Sequence, residues 1–243
     1  MKDERGEIIF YLINIMKDKN VKFFILENVK GLVNHDKGRS LKIILESLDK
    51  AGYYVEWKVL SSIHYGVPQM RERIYFVGIK KSLLNDENVK FNFPNNNKQD
   101  SNVENFLVDE VELTIDEKKS AYQTFLRYLS NKYNKDKKYS IEKLLEKDYL
   151  VLDTRQSDLR LYNNRVPTLR VGRHGILYVK DGKFRKLTGF ESLLLQGFPK
   201  ELAQKAKESV EDAHILRQAG NAMTVNTVQS VAENLINFGN NLK

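Results

Sequence analysis

Apolar residues recur at helical spacing from Glu7 to Met16, where Ile9, Leu12, Ile13 and Met16 share one face of an amphipathic helix. A short apolar run from Lys22 to Leu26 follows and ends in Glu27-Asn28. That pattern predicts a buried parallel strand. Ser40 to Ala51 returns to helical spacing through Leu41, Ile44, Leu45 and Leu48, with Gly52 beyond it as a stop. Tyr53 to Leu60 is strand-like, and Arg73 to Ile79 is a strand rich in β-branched and aromatic residues. This succession predicts half of an α/β sheet, not a complete doubly wound domain.

The pattern changes near Lys80. From there to about Tyr149 the chain is rich in Lys and Asn, including Pro94-Asn95-Asn96-Asn97-Lys98. Ser101 with Glu104 and Thr114 with Glu117 have capping-box spacing. The second predicts a helix with Tyr122, Phe125, Leu126, Leu129 and Tyr133 on one face. The stretch reads as a separate helical module. Leu150 to Lys186 differs again: Leu177–Val179 and Lys183–Lys186 flank Asp181-Gly182, a strong hairpin signal, and Gly172 and Gly175 bracket a tight loop. Thr188 with Glu191 is a further capping box, opening a helix that stops at Gly197 before Pro199. Val225, Val228, Val231 and Leu235 predict a C-terminal helix opening after Gly220-Asn221.

The chain has 243 residues, 41% of them hydrophobic, enough for a real core. Its formal net charge of +8 favours a polyanionic partner. Cysteine is absent, which removes disulfides, zinc-thiolate sites and thiol nucleophiles from these residues; no metal is expected. No apolar run approaches membrane length, so a cytoplasmic protein without membrane association is expected.

Several positions have the makings of chemistry. Glu27 ends an apolar strand, and the carboxyl edge of an open α/β sheet is where ligands bind. Read alone, it is either a capped strand-end glutamate or a semi-buried acid with a raised pKa. Gln69, Arg71 and Arg73 are spaced by two, so an extended strand turns them one way. They form either a charged edge or a guanidinium clamp for phosphate or a base carbonyl. Between Asp153 and Gly175 lie Arg155, Gln156, Asp158, Arg160, Asn163, Asn164 and Arg165, residue types that read base edges and also populate polar loops. Asn221 is first of all a helix cap.

Taken in order, Phe23-Phe24-Ile25-Leu26-Glu27-Asn28-Val29, Val67-Pro68-Gln69-Met70-Arg71-Glu72-Arg73-Ile74, Arg165-Val166-Pro167-Thr168-Leu169, Leu195-Gln196-Gly197-Phe198-Pro199 and Gly220-Asn221-Ala222 resemble the later motifs of DNA cytosine-5 methyltransferases. The resemblance implies a partial Rossmann-like methyltransferase sheet plus a smaller DNA target-recognition domain. It places the catalytic half-domain at residues 1–80, target recognition at 81–187 and a return to the catalytic domain at 188–243. It implies S-adenosylmethionine as cofactor and double-stranded DNA as partner. Glu27 would be the acid on cytosine N3. One of Arg71 and Arg73 would reach the base (Arg73 is assigned to it) and the other the DNA backbone. Arg155, Gln156, Arg160, Arg165 and Thr168 would meet DNA, with Arg165 also fixing the small domain to the large one. Asn221 would touch the cofactor, while Asn28, Gln69 and Gly220 would be structural.

The family's Phe-x-Gly-x-Gly cofactor loop and Pro-Cys-Gln nucleophile loop have no counterpart here. The expectation is therefore the back part or a subunit of a bacterial enzyme of restriction–modification, inactive until an N-terminal complementing chain supplies the cysteine. A non-catalytic DNA-binding module or a degenerate fragment is the alternative.

Overall fold

The computed structural model describes residues 4–85, 90–95, 101–109, 120–130, 139–155, 159–172 and 175–242. In chain order the elements are α1 (Glu4–Asp18), β1 (Phe23–Val29), α2 (Arg39–Lys50), β2 (Tyr53–Ser61), β3 (Gln69–Met70) and β4 (Glu72–Lys80). Next come α3 (Ser120–Leu129), α4 (Ile141–Leu145), β5 (Val151–Asp153), β6 (Arg160–Tyr162) and β7 (Val166–Pro167). The hairpin β8 (Ile176–Lys180) and β9 (Lys183–Lys186) precedes α5 (Gly189–Leu195), α6 (Lys200–Ser209), α7 (Asp212–Asn221) and α8 (Val225–Asn240). They form two compact units, one of residues 1–61, 72–96 and 227–243, the other of residues 62–71 and 97–226. Packing thus groups 62–71 and 188–226 with the middle of the chain, a different division from the functional one expected at 80 and 187.

The first unit is a three-stranded sheet in the order β1-β4-β2. β4 is central and is buried without a break from Ile74 to Ile79, the pattern of a strand covered on both faces. Ile74 and Phe76 join Phe24, Tyr53 and the α1 and α2 residues Ile13, Met16, Leu41, Ile44 and Leu48 in one core. Tyr75, Val77 and Ile79 are buried on the opposite face. β1 is antiparallel to its neighbour β4, with Glu27 opposite Tyr75. This corrects the parallel expectation. An apolar run reports burial, and says nothing of a neighbour's direction.

The second unit is built on a sheet of order β6-β5-β8-β9. Alternation with period two sends Val151, Ile176 and Tyr178 into a core with α5, α6 and α7, and Leu152, Leu177 and Val179 into a core with α3 and α4. Asp181 and Gly182 take positive φ (53° and 66°) in the hairpin turn, a left-handed pair that the Asp-Gly dipeptide favours. The Thr188–Glu191 capping box forms in full. The box expected at Ser101 and Glu104 does not: Asn102 precedes a single 3-10 turn there, with no side-chain cap. Thr114, Glu117 and Tyr133 lie outside the described residues. α7 was not expected at all. Gly220 and Asn221 close it, so Asn221 is not the cap of α8.

Candidate functional site

Antiparallel pairing brings Glu27 and Arg73 together. Glu27 lies opposite Tyr75, and Arg73 is two residues along the same strand. Diagonal neighbours on one sheet face are within reach of long side chains. Arg73 Nε sits 3.0 Å from Glu27 Oε1, with the side chains only 15% and 17% exposed. Among the described residues, Oε1 makes no well-aligned hydrogen bond. The carboxylate therefore keeps an acceptor position that a ligand can take. Beside it, Asn28 Oδ1 accepts from the Val29 N–H at 2.8 Å. Lys30 pairs with Glu72 at 2.9 Å, exposed at the rim.

A cavity of about 570 Å³ opens next to this end of β1. It is lined by Ile8, Ile9 and Leu12 of α1, by Leu26 to Val29, and by Leu32, His35, Ser40, Ile44 and Phe76. His35 Nδ1 and Ser40 Oγ share a hydrogen bond of 2.6 Å at its wall. The segment between them holds Asp36 and Lys37 at positive φ (50° and 55°), strain that is kept only where surroundings enforce it.

Gln69, Arg71 and Arg73 do not share a face. β3 ends at Met70, and the Arg71 N–H bonds back to the Gln69 carbonyl at 2.9 Å before β4 begins. That tight turn breaks the alternation the spacing implied. Gln69 is fully buried. Its amide donates to the Leu195 carbonyl at 2.9 Å and accepts from the Leu169 N–H at 3.0 Å. Thr168 Oγ1 donates to the Met70 carbonyl at 2.7 Å. Arg71 is 3% exposed, and its guanidinium donates to the carbonyls of Leu169 at 3.2 Å and Gly220 at 3.4 Å. Buried and turned to carbonyls, it braces this junction and does not present itself to a DNA phosphate. Gly220 allows that junction to close: a Cβ there would lie 2.7 Å from the Arg170 and Val171 backbone.

Arg155 also departs from expectation. It meets Asp153 bidentately, at 2.7 Å and 2.9 Å, and donates to the Thr168 carbonyl at 2.8 Å. Both side chains of the pair are under 5% exposed. Burial alone would raise the Asp153 carboxyl, but the Arg155 hydrogen bonds and charge, aided by Arg170, hold it below its usual value. Arg155 is thus committed to the fold and is not free to read a base edge. Arg160, across from Asp153 in β6, is exposed, as is Arg165 just before β7. Gln156 and Asp158 lie outside the described residues. Asn221 is exposed at the end of α7.

A buried polar network escaped sequence reasoning. Gln196 donates to the Ala219 carbonyl at 2.6 Å and accepts from Thr224 Oγ1 at 3.0 Å, which lies 2.8 Å from Ser62 Oγ. The one available signal was a glutamine inside the apolar run Leu193 to Phe198, a polar group that must find partners when buried.

The C-5 cytosine-specific DNA methylase family matches residues 1–237. The type II methyltransferase M.DsaV of Dactylococcopsis salina is 31% identical over 237 residues, covering 98% of this chain and 63% of its own length. M1.ScrFI of Lactococcus lactis subsp. cremoris is 33% identical over 239 residues, covering 96% of this chain and 56% of its own length. The chain therefore spans less than two thirds of these relatives. In fold it is similar to the Entamoeba histolytica methyltransferase EhMeth, with TM-score 0.63 and 16% identity over 97% of this chain and 69% of that one.

Proposed function

Because the chain belongs to the C-5 cytosine-specific DNA methylase family, we propose that it forms the acid-bearing and DNA-reading part of a DNA (cytosine-5-)-methyltransferase. The observation that carries this is the Glu27–Arg73 pair, a part-buried carboxylate with an open acceptor position at a cavity rim. Cytosine C5 is a poor nucleophile until a thiolate adds to C6. Glu27, protonated and bonded to N3, relieves the negative charge that then builds on the ring. Arg73 orients Glu27 and reaches toward the base O2. The thiolate comes from outside these residues, which contain no cysteine.

The family implies S-adenosylmethionine as the methyl donor. The residues present match its binding needs only in part: Asn221 offers an exposed amide for the amino-acid end, while a glycine-rich loop for that group is absent from the chain. The four-stranded sheet and its loops would form the target-recognition part, with the exposed Arg160 and Arg165 as its contacts to duplex DNA; Gln156, outside the described residues, and Thr168 belong to the same reading. A role in restriction–modification, in a bacterial cytoplasm, belongs to the same reading. The type II designation of the relatives supports it. No helix among the described residues is long and apolar enough to cross a membrane.

The test is transfer of tritium from labelled S-adenosylmethionine to mixed-sequence DNA. The chain alone leaves DNA unlabelled, and adding a polypeptide with the family's earlier motifs yields label on cytosine C5. Label with the chain alone would require a nucleophile other than a thiol. DNA binding with no label after complementation would favour a non-catalytic binding module.

The reading roles separate in competition binding of the complemented enzyme. Arg160→Ala relaxes preference at one base position, by about 1–3 kcal/mol. A loss equal across all duplexes, with a shallower salt dependence, would instead move Arg160 to the phosphates.

A further inference from the structure

β2 is an outer strand of the first unit's sheet, with β4 as its one strand neighbour among the described residues. An outer strand leaves every second backbone N–H and C=O pointing away from the sheet, where another strand can pair with them. Tyr53 and Leu60, near the ends of β2, are each 2% exposed. Between them the strand opens: Trp57 is 37% exposed, and Lys58 beside it is exposed too. The register with β4 sets the two faces. Trp57 lies opposite Phe76 and Lys58 opposite Tyr75, so Val55, Trp57 and Val59 share one face while Glu56 and Lys58 share the other. A groove of about 400 Å³, lined by Leu45 and Asp49 of α2 and by Tyr53, Val55 and Trp57 of β2, adjoins the tryptophan. Glu56 accepts from the Tyr54 hydroxyl at 2.7 Å. Neither Glu56 nor Lys58 meets an opposite charge among the described residues.

Charges on an edge strand ordinarily keep other strands away. These two are arranged so that the strand's own copy is an exception. Antiparallel pairing about a two-fold axis at Trp57 sets Glu56 directly opposite the second copy's Lys58, and Lys58 opposite its Glu56. Val55 then faces Val59, and Trp57 faces Trp57. Moving the axis by one residue either way sets Glu56 against Glu56 or Lys58 against Lys58. Opposite charges across a strand pair are favourable and like charges unfavourable, so the sequence selects the Trp57-centred register over its neighbours. We propose that the β2 edge is an interaction surface for a second copy of this chain, joined two-fold at Trp57 so that the two three-stranded sheets run on as one. Charge complementarity names the occupant: a second copy brings a lysine and a glutamate at the required spacing, and a tryptophan to cover the first. The inference stands without the methyltransferase reading.

The chain contains no cysteine, so a single introduced thiol reports one position. Trp57→Cys lies on the proposed axis, where opposing Cα atoms fall about 4.5–5.5 Å apart, within disulfide reach. Under mild oxidation it is expected to form a covalent dimer more than about tenfold faster than Leu202→Cys, whose thiol at a 53% exposed position of α6 meets its copy only by collision. Sedimentation velocity of the native chain, from micromolar to millimolar concentration, reads the dimer directly. Glu56→Lys and Lys58→Glu should each raise the dimer dissociation constant at least about tenfold, because the two-fold axis turns each reversal into two like-charge pairs. The double reversal restores both pairs and should return the constant to within about threefold of the native chain. Circular dichroism checks that each variant folds. Loss of the dimer in both single variants with recovery in the double supports the proposal, since local damage at either residue would persist in the double. A chain that stays monomeric through that range, a dimer that both reversals leave intact, a double reversal no tighter than the singles, or a Trp57→Cys variant that crosslinks no faster than Leu202→Cys overturns it.

Discussion

Replacing Glu27 by glutamine in the complemented enzyme is expected to lower turnover at least about a hundredfold while DNA affinity stays within a few fold. Glutamine keeps the shape and can still bond to a ring nitrogen, but it has no proton to give. The lost interaction belongs to the transition state, so kcat falls and ground-state binding does not. The substitution also ends the charge pairing with Arg73, whose Nε lies 3.0 Å from the carboxylate. The two side chains are only 15% and 17% exposed, so some loss of stability is expected beside the loss of turnover, and urea unfolding of the variant measures it separately. The measurements are single-turnover methyl transfer and equilibrium binding to the same duplex. A Glu27→Gln enzyme with near-normal turnover would sink the acid assignment. A variant that loses DNA binding in step with turnover would reduce Glu27 to a positioning residue.

The place of Glu27 near the end of a strand was legible because its surroundings are local: an apolar run that ends in Glu-Asn. The carboxylate's partner was not, because the Glu27–Arg73 contact depends on strand direction and register, which an apolar run does not encode. Arg71 and Arg155 show the limit most plainly. Both read as DNA contacts, since a guanidinium near a polar loop suits phosphate or guanine equally well. The fold turns both inward, onto the Gly220 and Thr168 carbonyls, and the choice is made by segments far away in sequence. Gln69 was expected to be structural and its buried amide bridges two segments. Asn221 was misplaced for a different reason. The helix before it, with Ile215 and Ala219 as its buried apolar residues, has too short an apolar pattern to announce itself, and Gly-Asn then looked like a beginning instead of an end. The Thr188 capping box held because a helix follows it, whereas Ser101 and Glu104 have the spacing without the helix.

Asp153→Ala is expected to destabilise the second unit by about 3–5 kcal/mol, because it strands a buried guanidinium. Among the described residues, the Arg155 side chain would keep its bond to the Thr168 carbonyl, having lost those of 2.7 Å and 2.9 Å to the carboxylate. The cost lies in the unpaired charge and not in the pair itself. Asp153→Leu combined with Arg155→Met should therefore recover most of the loss, as apolar replacement of a buried ion pair often does. The pH dependence has a fixed sign. Asp153 is held below its ordinary value of 3.8 in the folded chain, so its contribution is fully present above that value. It is lost as the pH falls through the lower folded pKa. The gap between the native chain and Asp153→Ala should hold from neutral pH down to 3.8 and narrow only below it. Urea unfolding followed by far-ultraviolet circular dichroism at several pH values measures the gap. A single variant within about 1 kcal/mol of the native chain would match an exposed pair and contradict the burial of this one. A double variant no more stable than the single would show that the two side chains hold the Thr168 segment by shape and hydrogen bonding, not by cancelling each other's charge.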